Sequence, residues 1–204
     1  FDHVFGYQGD LVNAKYTEDK GGHTGEAGDR AMDFLVTPAG MLVQDAEFLD
    51  IASGINKVTI SVWVKNHAIL PNATVFFALT STDNPGTDME GRTRFASFHI
   101  PWGNENIYFD TAGCCSTATH RIVKNNSGFS WDEWHHYVFV KDENHKSIWI
   151  DGELFHEGDN TLPLPRDNDL LAVGSDIVLG RSFSGIVDDL AIFASALTEE
   201  QIIG

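Results

Sequence analysis

The sequence predicts an all-β fold, a two-sheet antiparallel sandwich of the jelly-roll kind. Three observations point there. Apolar residues recur with period two, tight-turn clusters separate the alternating runs, and helical periodicity is nearly absent. In chain order, strand-like runs occupy 31–36, 58–65, 74–80, 93–100 and 106–110. In the second of these Val58, Ile60, Val62 and Val64 share one face, while Thr59, Ser61, Trp63 and Lys65 share the other, as in a half-buried strand. The run 134–141 follows, then the turn residues Asp142-Glu143-Asn144, then Ser147-Ile148-Trp149-Ile150. Asp151-Gly152 supplies the positive-φ pair of a tight hairpin, and Glu153-Leu154-Phe155-His156 returns from it. Two last strand-like runs cover 177–180 and 185–193. Clusters such as Asp83-Asn84-Pro85-Gly86 and Pro163-Leu164-Pro165 mark turns. One short helix is expected at the C-terminal edge, where Thr198 and Gln201 fit a capping box.

No repeat, linker or charge block divides the chain, so residues 1–204 read as a single domain. A chain of 204 residues buries enough surface to need no metal or disulfide staple. It carries 30 Asp plus Glu against 13 Lys plus Arg, a formal charge of −17. So acidic a surface repels phosphate backbones and anionic lipid, which argues against nucleic acid and membrane as partners. No stretch approaches the length and apolarity of a membrane span. Phe1 in place of an initiator Met, with no signal peptide, reads as a mature or excised piece.

Several residues stand out chemically. Asp188 is in phase with Ile186, Leu190 and Ile192, so its carboxylate is expected to point inward. A buried carboxylate needs a cation, several donors or a proton. Calcium suits such a group, because it gathers carboxylate and carbonyl oxygens; the alternative is that Asp188 accepts backbone N–H bonds. Asp189, out of phase, is expected in solvent. The two cysteines, Cys114 and Cys115, are adjacent. They form a vicinal disulfide that rigidifies a turn and offers a flat sulfur surface, or stay reduced, or pair between molecules. Trp102, Tyr108, Asp110, His120 and Arg121 lie near that pair in sequence. Together they could supply the aromatic platform and fixed polar groups of a sugar site. The Arg121 fork suits a carboxylate or sulfate, and equally a salt bridge. Trp134 and Phe139 read as core, whereas Trp63 falls on the polar side of its strand. The nine histidines make no recognisable site, and surface or capping roles are expected of them.

Four segments resemble the laminin G-like, concanavalin A-like lectin/glucanase superfamily. They are Gly25-Glu26-Ala27-Gly28-Asp29-Arg30-Ala31-Met32-Asp33-Phe34, the run 58–65, Trp134-His135-His136-Tyr137 through Asp151-Gly152-Glu153, and 185–193 with Ala196-Leu197-Thr198. The resemblance implies a concanavalin A-like jelly roll. It also implies a glycan- or protein-binding module of a larger extracellular or cell-surface protein, here of a bacterial surface type. Structural calcium is common in the family near the aspartate matching Asp188, and the N-terminus brought alongside makes Asp2 a candidate second ligand.

Catalysis is not expected. Glycosidases need two carboxylates flanking the bond, and neither E-x-D-x-E, G-x-S-x-G nor H-E-x-x-H occurs. The sequence thus points to a non-catalytic, calcium-stabilised carbohydrate-binding or adhesion module. The expected ligand residues are Trp102, Tyr108, Asp110, Cys114, Cys115, His120 and Arg121. The expected partner is a polysaccharide or another protein; the alternatives are a protein-interaction or spacer domain without a small ligand and, ranked last, a polysaccharide hydrolase or lyase with an unfamiliar carboxylate arrangement.

Overall fold

The computed structural model describes residues 6–83, 86 and 88–204. Its strands are β1 (Asp10–Val12), β2 (Lys15–Tyr16), β3 (Met32–Asp33), β4 (Gly40–Gln44), β5 (Lys57–Asn66), β6 (Phe76–Thr80) and β7 (Arg94–His99). They continue as β8 (Asn106–Thr111), β9 (Arg121–Asn125), β10 (His135–Asp142), β11 (His145–Ile150), β12 (Glu153–Asp159), β13 (Asn168–Val173) and β14 (Gly185–Phe193). Two short α-helices, α1 (Asp50–Ile55) and α2 (Glu199–Ile203), and single 3-10 turns at Glu47–Leu49 and Met89–Gly91 complete the described elements. Among the described residues no helix is long and apolar enough to cross a membrane.

The strands form two seven-stranded antiparallel sheets, as the jelly-roll expectation requires. The first runs β1-β4-β13-β6-β7-β8-β9 and the second β12-β11-β10-β5-β14-β3-β2. Inward residues of both sheets make the core. Val58, Ile60, Val62 and Val64 face Phe76, Phe98 and Phe109, and all seven are essentially without solvent exposure. Phe98 joins the layers, stacking on Phe76 at 5.1 Å and on Phe139 at 4.1 Å between ring centroids. Offset stacking of this kind adds to the burial of apolar area.

Local sequence chemistry sets the turns. Asp151 and Gly152 both have positive φ, as the β11–β12 hairpin was expected to need. The capping box on α2 is present, with Thr198 and Gln201 each accepting from the other's backbone N–H. Two expected strands differ. The run 31–36 narrows to the two residues of β3. The run 177–180 is a turn, because the Asp176 carboxylate accepts N–H bonds from Val178 and Gly180 and closes the chain on itself. The strand β13 was not expected; lying inside its sheet with both faces covered, it lacks the period-two signature.

The outer faces are covered unequally. On the second sheet Val138 and Val140 pack beneath Ile202 of α2 and Leu197. On the first, Phe77, Leu79 and Ala172 are covered by Leu42, Met89 and Ile177. The outer side of β8 and β9, at the edge of the first sheet, carries half-buried polar and aromatic side chains instead.

Candidate functional site

Alternation along β8 places Asn106, Tyr108 and Asp110 on the outer side, with Ile107 and Phe109 in the core. The register with β9 sets Asn125 opposite Asn106, Val123 opposite Tyr108 and Arg121 opposite Asp110. Directly opposed residues share a face, so Arg121, Val123 and Asn125 join the same surface. Trp102 enters from the turn between β7 and β8, closed by the Trp102 N–H to the Asn106 carbonyl at 2.9 Å. Its ring meets Tyr108 edge-on at 6.0 Å, and the Arg121 guanidinium lies over the Tyr108 ring at 4.4 Å. Around the phenol, the Asn104 and Asn106 side-chain amides donate to Tyr108 Oη at 2.9 and 3.0 Å. Asn125 in turn donates to Asn106 Oδ1 at 2.8 Å. With both acceptor positions of Tyr108 Oη filled, its own proton is left to donate outward.

Beneath this row is a buried ionic network. Asp110, with no solvent exposure, accepts from Arg121 Nε at 2.8 Å and Nη2 at 2.6 Å, and from Arg94 Nη1 at 3.1 Å. Arg94, 1% exposed, also pairs with Asp88 at 2.8 Å. Burial pushes the Asp110 pKa up, but the Arg121 hydrogen bonds and the charges of Arg121 and Arg94 outweigh it and hold the carboxyl below its usual value. His99, 2% exposed, props the aromatic pair, with ring contacts to Trp102 at 4.4 Å and Tyr108 at 5.8 Å. Burial pushes its pKa down to about 3, against the pull of the Ala73 carbonyl, so the ring is neutral at physiological pH.

At the far end of β8 the Cys114 and Cys115 sulfurs lie against each other, in the arrangement of a vicinal disulfide. The Cys115 N–H points to Asp110 Oδ1 at 3.4 Å, and Arg121 Nη2 lies 3.6 Å from the Cys115 sulfur. Gly113 has φ +126°, which favours glycine, and a Cβ there would sit 2.9 Å from His120 Nε2, so the ring would have to shift. Cys114, Cys115, Gly113 and His120 line a cleft of about 450 Å³ with Asp88, Thr93 and Ala112. The seven expected ligand residues therefore occupy one continuous region. Within it Asp110 is buried as the anchor of both arginines and is not available to a ligand.

Asp188 departs from expectation. Its register partner is Trp63, on the outer side of the second sheet, so its carboxylate points away from the core. The inward phase fails because β14 is interrupted between Asp188 and Ala191, with Asp189 at φ +43°. Beyond that bulge Ile192 faces inward opposite Ile60, so it is out of phase with Asp188. Asp188 is nonetheless only 6% exposed, because the 17–31 segment crosses over it. His23 clasps it there, with its backbone N–H at 2.8 Å and ring Nδ1 at 3.1 Å from Asp188 Oδ2. The Asp189 N–H bonds Asp188 Oδ1 at 3.0 Å. Trp63 is sandwiched between His23 at 4.4 Å and His136 at 5.1 Å. Trp134, expected in the core, is half-buried here, edge-on to His23 at 6.4 Å.

His23, Asp29 and Asp188 place potential ligand atoms within 4.8 Å of one another. Calcium takes six to eight oxygens. This trio offers a ring nitrogen and carboxylates that already accept N–H and O–H bonds, so it fits calcium poorly. Asp2, the expected second ligand, lies outside the described residues.

The profile of the concanavalin A-like lectin/glucanases superfamily matches residues 44–203. The chain belongs to that superfamily. No curated protein matches the sequence. Among solved structures, this concanavalin A-like chain resembles domain 4 of the extracellular GH43 arabinanase AbnA of Geobacillus stearothermophilus, solved with arabinotriose. There the identity is 18%, covering 95% of this chain and 87% of that one, with a TM-score of 0.61. A Trypanosoma rangeli sialidase complex shares 13% identity over 97% of this chain and 28% of its own, with a TM-score of 0.65. The binding domain of botulinum neurotoxin DC, solved with SialylT, shares 13% identity over 98% of this chain and 46% of that one, with a TM-score of 0.63. At these identities the likeness is one of fold.

Within the concanavalin A-like frame, several residues of the region escaped sequence reasoning. Asn104 and Asn106 reach Tyr108 from its own turn and strand, whereas Asn125 joins Asn106 only because β8 and β9 pair, and β9 was not expected as a strand. The alternation of Ile122 inward against Arg121 and Val123 outward is its one signal. His99, expected at the surface or as a cap, is buried; its alternation with Phe98 places it on the outer side, where Trp102 covers it.

Proposed function

We propose that the chain is a non-catalytic glycan-binding module of an extracellular or cell-surface protein, with its ligand surface on the outer side of β8 and β9. One observation carries the reading: the half-buried row of Trp102, Tyr108 and Arg121, flanked by the asparagine amides at one end and the disulfide cleft at the other. Sugar recognition calls for aromatic surface against the apolar side of the ring and a few fixed polar groups against its hydroxyls. The row has both, and the buried Asp110–Arg94 network holds Arg121 in position without loops having to close. The structural relatives solved with arabinotriose and with SialylT are consistent with a glycan partner.

The non-catalytic part of the reading rests on the carboxylates beside the row. Asp88 and Asp110 are both paired with Arg94, and the Asp110 pKa is held down, whereas a glycosidase general acid needs a raised one. The Asp188 clasp enters as the anchor of the 17–31 segment rather than as a calcium ligand. On that reading, adding calcium and then chelating it leaves the melting temperature unchanged. A rise of several degrees with calcium that Asp188→Ala abolishes would restore the ion.

The test of function is binding to an array of immobilised polysaccharides by wild type, Trp102→Ala and Tyr108→Ala. Selective capture by wild type, reduced at least about tenfold in either variant, supports the module. Capture equal in all three moves the site elsewhere, and silence throughout ends the glycan reading.

A further inference from the structure

Resting on that glycan reading, we propose that the surface selects neutral polysaccharides and discriminates against uronate and sulfate chains. The cations on the outer side of β7, β8 and β9 are Arg94 and Arg121. Each is committed. Arg121 forms a bidentate pair with Asp110, and Arg94 bridges Asp110 and Asp88. Two guanidinium groups against two carboxylates leave the cluster with no net charge. Because Asp110 is wholly buried and Arg94 nearly so, this compensation is built in and is not a surface pair that a ligand readily displaces.

A bidentate guanidinium fork is the usual means of holding a carboxylate or sulfate. Here that fork already holds Asp110, and its flat face lies on the Tyr108 ring. What the row still offers is neutral: the Trp102 ring, the Tyr108 hydroxyl proton, the asparagine amides and the sulfur pair. An acidic chain would gain no uncompensated cation at the row, while the protein's charge of −17 repels it at longer range. A neutral chain meets neither penalty. Along β8 the row from Asn106 to Asp110 extends about 14 Å at the rise of an antiparallel strand, long enough for a chain segment rather than one ring.

The experiment titrates the wild-type chain with neutral oligosaccharides of glucose, mannose, xylose and arabinose. It repeats the series with uronate and sulfated oligosaccharides, at about 20 and about 200 mM salt, a range over which charge steering is largely screened. The expected result is binding to a neutral series that changes less than about twofold with salt, with acidic series at least about tenfold weaker. Equal or tighter binding of an acidic series, weakening as salt rises, overturns the proposal while leaving the glycan reading in place. No binding to either kind overturns both. A second arm uses Asp110→Asn, which removes one carboxylate and frees a guanidinium; it should gain affinity for the acidic series by about tenfold. If that variant fails to fold, the wild-type comparison decides alone.

Discussion

Asp110 is the residue on which the proposed surface depends most. Both arginines of the outer face converge on its carboxylate, so Asp110→Ala would leave Arg121 without its buried counter-charge and Arg94 with Asp88 alone. Breaking a buried pair by deleting one partner costs about 3–5 kcal/mol, and a loss of that size in urea unfolding is expected. A cost below about 1 kcal/mol would mean that the network behaves as a surface salt bridge. The two buried lysines make a separate prediction. Lys141 donates to the carbonyls of Glu143 and Asn160, and Lys146 to those of Phe109 and His120, with no carboxylate partner for either among the described residues. Burial lowers the Lys141 pKa from 10.5 to about 8 and that of Lys146 well below its usual value. Between about pH 8 and 10.5 the unfolded chain therefore binds a proton that folded Lys141 has released, so stability rises with pH across that window. Tyr137, whose pKa burial raises, opposes this only near and above pH 10. Urea midpoints should climb from about pH 7.5 to about pH 9.5 in wild type and climb less in Lys141→Met; parallel slopes would contradict the assignment. The outward set Tyr108, Asp110 and Arg121 could be named from sequence because Tyr108 and Asp110 are two apart on one strand. That Asp110 would serve the arginines rather than a ligand could not, since Arg94 reaches it across strand pairing.

At the scale of elements, β14 shows how a single residue redirects a strand. The pattern from Ile186 to Ile192 reads as unbroken alternation, but Asp189 in the left-handed region inserts a bulge and puts Asp188 outside and Ile192 inside. Nothing in the alternation announces the bulge; an aspartate tolerates left-handed φ better than most residues and is the only hint. The clasp between Asp188 and His23 then ties the 17–31 segment to the sheet. Asp188→Asn keeps the shape but weakens acceptance from two His23 donors, and faster amide exchange confined to 17–31 is the expected outcome. Unchanged protection there would remove the clasp. Gly174, just after β13, makes a stricter demand. Its φ is +76°, and a Cβ would lie 2.4 Å from the fully buried Phe34 ring. Gly174→Ala should cost at least about 2 kcal/mol from strain and overpacking together. A thermal melt within a degree of wild type would show that Phe34 can yield. The hairpin at Asp151-Gly152 and the capped helix α2 were legible because their signals are local. The strand β13 and the turn at 177–180 were not, because one depends on burial from both sides and the other on a side chain accepting its own backbone.

At the scale of the molecule, the two sheets share one core but treat their outer faces differently. The second sheet is closed by α2 at one end and by the His23 segment at the other. The first is closed over Phe77 and Leu79 and left accessible over β8 and β9. That asymmetry, more than any single motif, locates the proposed glycan surface. It also separates the row from the cleft of about 430 Å³ lined by Lys124, Phe129, Leu154 and Phe155 on the other side of β9. Backbone amide NMR during titration with a polysaccharide fragment captured in the array decides whether β8 and β9 carry the ligand. A ligand surface on β8 and β9 predicts shift changes clustered at 102–110, 113–116 and 120–125, saturating together, with the 17–31 segment and α2 unmoved. Changes centred on Phe129 and Phe155, or on the second sheet, would contradict it.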